Sequence, residues 1–147
     1  MLRPATLDDA YKLAPNLRLA DQIELRACGH TDFELVLVES LVLSDEAMAY
    51  ELNGELLALA GVVGAPSFGV PWLLGSDGLI EHKKAIIQIP FQYVPRWLER
   101  YGFLQNIVHT ENRRSIRWLR YLGFTLGEPV PLNGHLFHPF SMSKPNV

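Results

Sequence analysis

The sequence predicts a domain of the α/β or α+β class, built around one mixed β-sheet. Two strand-like runs flank Asn53-Gly54, and Asn-Gly at such a place is the strongest short signal for a β-hairpin because both central turn positions need positive φ. The second run, residues 56–63, is apolar on both faces, which is typical of a strand that is covered on both sides. Helical segments before and after these runs would supply the covering layers.

The part of the chain before the hairpin is predicted to contain one short strand and three helices. Thr6 begins the first helix, so that Asp8 and Asp9 lie in its first turn, where the helix dipole favours negative charge. Thr31 and Glu34 match a capping box, which favours a helix for the apolar segment that follows, although residues 35–38 would also suit a buried strand. The predicted bounds are residues 1–3 for the strand and residues 7–14 and 16–27 for the first two helices, and the third helix runs from the capping box through residues 35–43 to Ser44.

The remaining elements follow from apolar runs and from breaker residues. Pro90 and Pro95 interrupt a helical segment and predict a kink or a division into short helices, because proline removes a backbone donor. Gly123 ends a later amphipathic helix. Residues 128–134 are predicted to be a connection, with a second hairpin signal at Asn133-Gly134. The predicted strands are residues 47–52, 55–63, 70–74, 104–109 and 135–143, and the helical segments are residues 81–101 and 113–122.

The composition indicates an ordinary globular protein. The 147 residues, 48% of them hydrophobic and 20% charged, suffice for one domain with a real core. The net charge of −3 argues against a general affinity for nucleic acid, although an arginine cluster in the second half suits either a solvated helix face or a phosphate-binding face. The single Cys28 cannot form an intramolecular disulfide, which fits a reducing compartment. No apolar run reaches the roughly 18 residues of a membrane span, and residues 1–10 lack the apolar core of a signal peptide, so we expect a cytoplasmic protein.

Other common chemistries find no motif in this sequence. The five histidines lie at no metal-ligand spacing. Neither a Gly-x-Ser-x-Gly motif nor a P-loop lysine motif occurs. We therefore expect no metal site and no serine-hydrolase or P-loop chemistry.

Residues 104–124 carry the most specific motif of the chain. Asn112 is followed by Ser115-Ile116 and then by Leu122-Gly123-Phe124, with a predicted strand on each side. This pattern resembles the motif of the GCN5-related N-acetyltransferase (GNAT) family, and the order of elements along nearly the whole chain is similar to that family's. The resemblance implies a single GNAT-like domain over residues 1–147, with a mixed, mostly antiparallel sheet flanked by helices. It also implies transfer of an acetyl group from acetyl-CoA, bound as the cofactor, to an amine.

The resemblance also implies where coenzyme A and the catalytic groups would lie. Leu119 occupies the position where active members often have a tyrosine that donates a proton to the leaving thiolate, and Tyr121 is rotated by about 200° from that position. Glu24 and Asp77 are then the candidate catalytic bases, with surface or capping roles as alternatives, and Asp77 would also place a carboxylate beside the pyrophosphate. Asn112 is expected either near the coenzyme A arm or as a helix cap. The expected cofactor-binding residues are Leu74, Gly75, Ser76, Gly78, Asn112 and Ser115.

A closer resemblance is to a small group of bacteriophage proteins related to the gene 13 protein of bacteriophage T7. The residues that carry it include Asp21, Glu24, Trp72, Asn106 and Asn112. It implies a component of the virion or of its assembly, in the host-cell cytoplasm or in the particle, with a phage or host protein as partner. An open cleft between residues 70–74 and 104–109 would favour acetyl transfer, whereas a cleft filled by side chains would favour a catalytically degenerate scaffold.

Overall fold

The computed structural model describes residues 2–145, which form one eight-stranded mixed sheet covered by helices on both faces. The predicted fold class is confirmed, and Met1 of the predicted first strand lies outside the described residues. The strands are β1 (Leu2–Pro4), β2 (Ser44–Leu52), β3 (Glu55–Gly64), β4 (Gly69–Gly75), β5 (Phe103–His109), β6 (Thr125–Leu126), β7 (Val130–Leu132) and β8 (His135–Ser143). The helices are α1 (Leu7–Leu13), α2 (Leu19–Ala27), α3 (Phe33–Leu43), α4 (Gly78–Glu81), α5 (Lys83–Ile86), α6 (Val94–Tyr101) and α7 (Arg113–Leu122).

The sheet is antiparallel except at one junction. Its order is β1-β2-β3-β4-β5-β8-β6, and β7 pairs with β8 beside β6. Strands β4 and β5 run parallel and pair only at Gly69 and Leu104. The sheet thus consists of two antiparallel halves, β1–β4 and β5–β8, which meet at a single residue pair.

Both predicted hairpins are present. Asn53 and Gly54 have φ values of 52° and 80°, and Asn133 and Gly134 have φ values of 52° and 77°. These positive values are what a two-residue hairpin turn of type I′ requires. The second turn connects β7 with β8, so part of the predicted connection over residues 128–134 is a strand. The sequence analysis missed β7 because a three-residue, exposed edge strand has too few residues to show a periodic pattern.

The helices differ from the prediction mainly at their ends. A 3₁₀ turn at Ala14–Asn16 precedes α2, which begins at Leu19 rather than at residue 16. Asp32, rather than Thr31, caps α3, because its side chain accepts the Leu35 N–H at 3.0 Å. The apolar segment that follows is helical, so the strand alternative for residues 35–38 is wrong. The predicted helical segment 81–101 is divided into short helices. Pro90 lies at the start of a 3₁₀ turn at Ile89–Gln92 and Pro95 in the first turn of α6, as predicted, whereas α4 and α5 are separated at His82, where the sequence has no breaker residue. None of the helices within residues 2–145 is long and apolar enough to cross a membrane.

Strand β3 lies in the centre of the core, as its apolar character on both faces predicts. Leu59 faces α1 and α3, where it packs in one cluster with Leu13 and Leu37. Val62 faces the opposite layer, where the cluster includes Trp97 of α6 and residues of α7 and β8. The two layers therefore bury both faces of the strand, and Leu59 and Val62 are both fully buried.

Candidate functional site

The candidate site is the split between β4 and β5. Beyond the Gly69–Leu104 pair the two strands separate, and a cavity of about 320 Å³ lies between them and the helices around them. Because backbone groups in a strand point alternately to the two sides, every second residue of each strand turns its N–H and C=O toward the split. Hydrogen bonds identify Gly75 on β4 and Ile107 and His109 on β5 as such residues, and Pro71, which has no N–H, turns its C=O the same way. Leu73 lies between Pro71 and Gly75, so the alternation turns its N–H and C=O toward the split as well.

The near end of the split is closed by Asn106. Its Nδ2 donates to the carbonyl oxygen of Pro71 at 2.8 Å. Its Oδ1 accepts the N–H of Ile107, also at 2.8 Å. One side-chain amide thus takes the place of the backbone ladder where the strands begin to part.

The far end of the split is closed by the segment that leads into α2. The Gly75 N–H donates to Asp21 Oδ2 at 2.8 Å, and the Gly75 carbonyl accepts the N–H of Arg18 at 2.9 Å. Leu17 forms an isolated antiparallel bridge with Ser76. Both backbone polar groups of Gly75 are therefore occupied by the protein itself.

Glu24 lies at the carboxyl end of β5, in the wall of the cavity. Its Oε1 accepts the N–H of His109 at 2.6 Å. The pKa of the Glu24 carboxyl is raised to about 7, mainly by burial and in smaller part by the negative charge of Asp21, against the lowering effects of the His109 N–H, the Asn112 amide and Arg18. A carboxyl with a pKa near 7 exchanges a proton readily at neutral pH.

Asn112 lies beside Glu24, at the position just before α7. Its side chain makes no capping hydrogen bond, so the alternative role as a helix cap is wrong. Asn112 is 6% exposed, and its Nδ2 has no hydrogen-bond partner of normal geometry within residues 2–145. A buried amide without a partner is costly in a folded protein, which makes it a candidate for contact with a ligand.

The turn after β4 has its own acidic surroundings. The Ser76 N–H donates to the Leu57 carbonyl at 2.9 Å, so two N–H groups of the predicted cofactor loop, those of Gly75 and Ser76, have protein partners. Asp77 is exposed, makes no capping hydrogen bond, and lines a second cavity of about 570 Å³ on the other side of the turn from Glu24. This second cavity is also lined by Glu55, Glu81 and Gly78. The structure thus separates the two predicted catalytic carboxylates.

A third cavity, of about 330 Å³, forms a groove between α4–α5 and α7. Its cations are Lys83, Arg114 and Arg117, together with the buried Arg18. Leu119 lines the split, whereas the Tyr121 side chain lines this outer groove. Tyr121 therefore does not replace the tyrosine that is missing at position 119. The predicted site residue Ser115 lies in the walls of both the split and the groove, and Leu74 is buried in the wall of the split.

Solved structures with the same architecture identify the fold. A ribosomal-protein-alanine N-acetyltransferase from Brucella melitensis aligns with a TM-score of 0.70 and 14% identity over 98% of this chain and 99% of that one. A GNAT-superfamily phosphinothricin acetyltransferase from Sinorhizobium meliloti, solved with acetyl-CoA, aligns with a TM-score of 0.71 and 13% identity over 97% and 87%. An aminoglycoside acetyltransferase in complex with coenzyme A aligns with a TM-score of 0.72 and 18% identity over 98% and 94%.

The chain has the GNAT fold. No protein-family model matches the sequence, and no curated protein matches it. The resemblance to phage proteins is therefore not shown by these comparisons. At identities below 20%, these likenesses show the fold alone.

The GNAT fold implies that a coenzyme A arm would lie in the split, and the residues present fit such an arm in part. The strand alternation turns the N–H and C=O of Leu73 toward the split, between the occupied groups of Pro71 and Gly75. The unpartnered Asn112 amide is a further polar group for a ligand. The outer groove offers cations for phosphates, whereas the turn after β4 offers carboxylates and engaged N–H groups.

Sequence reasoning missed two residues that shape the candidate site. Arg18 was not a candidate, because an arginine just before a helix is ordinarily solvated, yet its side chain is only 7% exposed. Asn106 was noted only as part of a resemblance, and its bridge between two strands depends on their separation. Neither role follows from local spacing, because both depend on contacts between distant segments.

Proposed function

We propose that this GNAT-fold chain transfers an acetyl group from acetyl-CoA to an amine, with the reaction centred on the split between β4 and β5. The observation that carries the proposal is Glu24, a largely buried carboxyl at the end of β5 with a pKa raised to about 7. A buried acid with a perturbed pKa in a cavity is a common sign of a catalytic group. The fold's acetyltransferase neighbours support the same class of reaction.

Glu24 would act as the general base. Bound acetyl-CoA would supply an acetyl group on an activated thioester, which reacts with an unprotonated amine. The Glu24 carboxylate would accept a proton from the ammonium form of the acceptor, since a base with a pKa near the ambient pH combines the right charge state with sufficient basicity. As the new C–N bond forms and the C–S bond breaks, the amine nitrogen would release its remaining excess proton to solvent. Because Leu119 has no proton to give, the protonated Glu24 would itself donate its proton to the sulfur of the leaving thiolate.

The cofactor would be held mainly by the split and the outer groove. Leu73 would offer its backbone groups, and Lys83, Arg114 and Arg117 would bind phosphates by charge-assisted hydrogen bonds. Asn112 would donate its free amide to the ligand. The other predicted cofactor-binding residues remain candidates in the walls and the turn: Leu74, Gly75, Ser76, Gly78 and Ser115. Asp77 remains the less favourable base because it is exposed and faces another cavity.

The test is Glu24→Gln, which removes the proton acceptor but keeps the size of the side chain. We expect acetyl transfer from acetyl-CoA to a panel of small amines to fall by about 10²–10⁴-fold. Glu39→Gln, the same change at an exposed position of α3, should leave the rate unchanged. Equal rates for the Glu24→Gln variant and the wild type would remove Glu24 from the mechanism, and no turnover by the wild type with any amine would count against the activity itself.

A second candidate function is a catalytically degenerate GNAT-fold component of a T7-like phage, in the virion, in its assembly or in contact with a host protein. The observation in its favour is that Asp21, Glu24 and Asn106, which carry the resemblance to phage proteins, are the side chains that bond to the parted strands. This reading predicts no heat of binding at millimolar acetyl-CoA in calorimetry. It also predicts that mass spectrometry of purified phage particles detects this chain.

A further inference from the structure

Arg18 joins three elements that are distant in the sequence. Its backbone N–H donates to the carbonyl of Gly75 at the end of β4. Its Nη2 donates to Asp21 Oδ1 at 2.9 Å and to Ser115 Oγ in the first turn of α7 at 2.8 Å. Asp21 in turn accepts the N–H of Gly75. The contacts of Arg18 and Asp21 with Gly75 and Ser115, called the latch below, therefore connect α2 with both sides of the split.

The latch lies where the split meets the outer groove. Arg18, Ser115 and Trp118 line both cavities, so the Arg18–Ser115 hydrogen bond stands between the two spaces. The groove holds the phosphate-binding cations, and the split holds Glu24. A ligand that reached from one to the other would have to pass the position of the Arg18 side chain.

The closed latch is only weakly favoured by its own contacts. Arg18 and Asp21 are 7% and 1% exposed, and the desolvation of such a buried pair offsets much of its attraction. The Arg18 Nε is also buried without a hydrogen-bond partner within residues 2–145, which is a further cost of the closed arrangement. Because the closed arrangement carries these desolvation costs, the Arg18 and Asp21 contacts are suited to being released.

We propose that the latch is an intramolecular gate that occupies the free edge of β4 and must release before a coenzyme enters the split. The proposal rests on the proposed function for the identity of the ligand. It makes the closed form an autoinhibited state, in which the chain's own Asp21 and Arg18 occupy the polar groups of Gly75.

The gate makes a quantitative link between two measurements. If only the open form binds coenzyme A, the apparent dissociation constant is the intrinsic one divided by the open fraction. The exchange rate of the Gly75 amide, which is protected by Asp21 in the closed form, rises with the same open fraction. A change that loosens the latch should therefore accelerate Gly75 exchange and tighten coenzyme A binding by the same factor.

The test uses Ser115→Ala in the full chain, because it removes one anchor of Arg18 without touching Gly75. We expect about a fivefold increase in Gly75 exchange by NMR and about a fivefold lower Kd for coenzyme A by calorimetry. Arg18→Lys keeps the charge, but its ammonium nitrogen lies one bond nearer the backbone than Nη2, the single nitrogen that donates to both Asp21 and Ser115. It should act in the same direction. Arg113→Ala, an exposed neighbour in the same helix turn, is the control variant. The Ser76 amide, which donates to Leu57 within the sheet, is the control amide and should not change.

The outcomes separate the gate from the proposed function. Unchanged Gly75 exchange in both Ser115→Ala and Arg18→Lys would overturn the latch. Faster exchange with equal or weaker coenzyme A binding would overturn the gating role and make Ser115 and Arg18 ligand contacts instead. Faster exchange with no coenzyme A binding by any variant would support the latch while showing that coenzyme A is the wrong ligand, which defeats the proposed function alone.

Discussion

The strand pairs β2–β3 and β4–β5 differ in the groups that bond to the facing strand edges. The β2–β3 pair runs from the hairpin turn to Ser44 and Val63, and backbone groups bond to backbone groups along its length. The β4–β5 pair has one residue pair, and beyond it side chains bond to the strand edges. A backbone ladder cannot be exchanged for a ligand without unfolding, whereas side-chain contacts can be displaced. This difference in backbone pairing shows why the β4–β5 split, rather than the β2–β3 hairpin, is the candidate site.

The largest expected effect lies on the hairpin side of this comparison. Leu59→Ala removes a fully buried side chain of β3 and should lower the free energy of unfolding by about 2–5 kcal/mol, because of lost burial and the cavity left behind. Urea denaturation measures this loss. Leu136→Ala, at a half-exposed position of β8, should change the stability by less than about 0.5 kcal/mol. A similar loss for both variants would contradict the placement of the core.

The next largest effect concerns pH and the split. The pKa of Glu24 is raised from 4.5 to about 7 in the folded chain, so the folded state binds this proton more tightly than the unfolded state. The resulting stabilisation is fully present below about pH 4.5 and is lost as the pH rises through about 7. Its size is about 3 kcal/mol, at about 1.4 kcal/mol for each unit of pKa shift.

Glu24→Gln isolates this effect, since glutamine does not titrate. Between pH 5 and pH 8 the wild type should lose about 2.5 kcal/mol more stability than the variant, as measured by urea denaturation at each pH. Parallel pH profiles for the two proteins would show that Glu24 is not buried as described.

A smaller effect is expected for the side-chain bridge at the near end of the split. Asn106→Ala leaves the Pro71 carbonyl and the Ile107 N–H without partners. It should therefore lower the free energy of unfolding, measured by urea denaturation, by about 1–3 kcal/mol. Gln105→Ala, at the exposed neighbouring position of β5, is the matched control. Equal losses of unfolding free energy in the two variants would show that the Asn106 bridge adds no stability beyond that of an ordinary strand position.

The smallest effect is expected for the other predicted carboxylate. Asp77 is exposed and bonds to no helix end, so Asp77→Asn should change the free energy of unfolding by less than about 0.5 kcal/mol. Urea denaturation measures this change. A fall in the rate of acetyl transfer comparable with that of Glu24→Gln would reverse the ranking of the two carboxylates.

The sequence predicts most of this fold because its signals are local. The Asn53-Gly54 turn, the apolar run of β3 and the Gly123 end of α7 each follow from a few neighbouring residues, and Gly123 adopts the expected left-handed φ of 103°. The errors lie where local preference is weak. The short edge strand β7 and the delayed start of α2 after Pro15 depend on pairing and packing with distant segments.

The site is less predictable than the fold for the same reason. Glu24 and Asp77 are equivalent as acids in the sequence, and only tertiary burial separates them. Asn112 is expected either near the coenzyme A arm or as a helix cap, and the cap alternative is wrong because its side chain makes no capping hydrogen bond. The choice between an open and a filled cleft also needs the structure, which shows a cavity whose strand edges are partly occupied by side chains.

The single pair of Gly69 with Leu104 has a mechanical consequence. A load applied across the sheet would be shared by the whole ladder of β2 with β3, but between β4 and β5 it would rest on this pair, on Asn106 and on the segment before α2. Under tension we expect the domain to part along this seam first. The two half-sheets would then separate as intact bodies before either of them unravels.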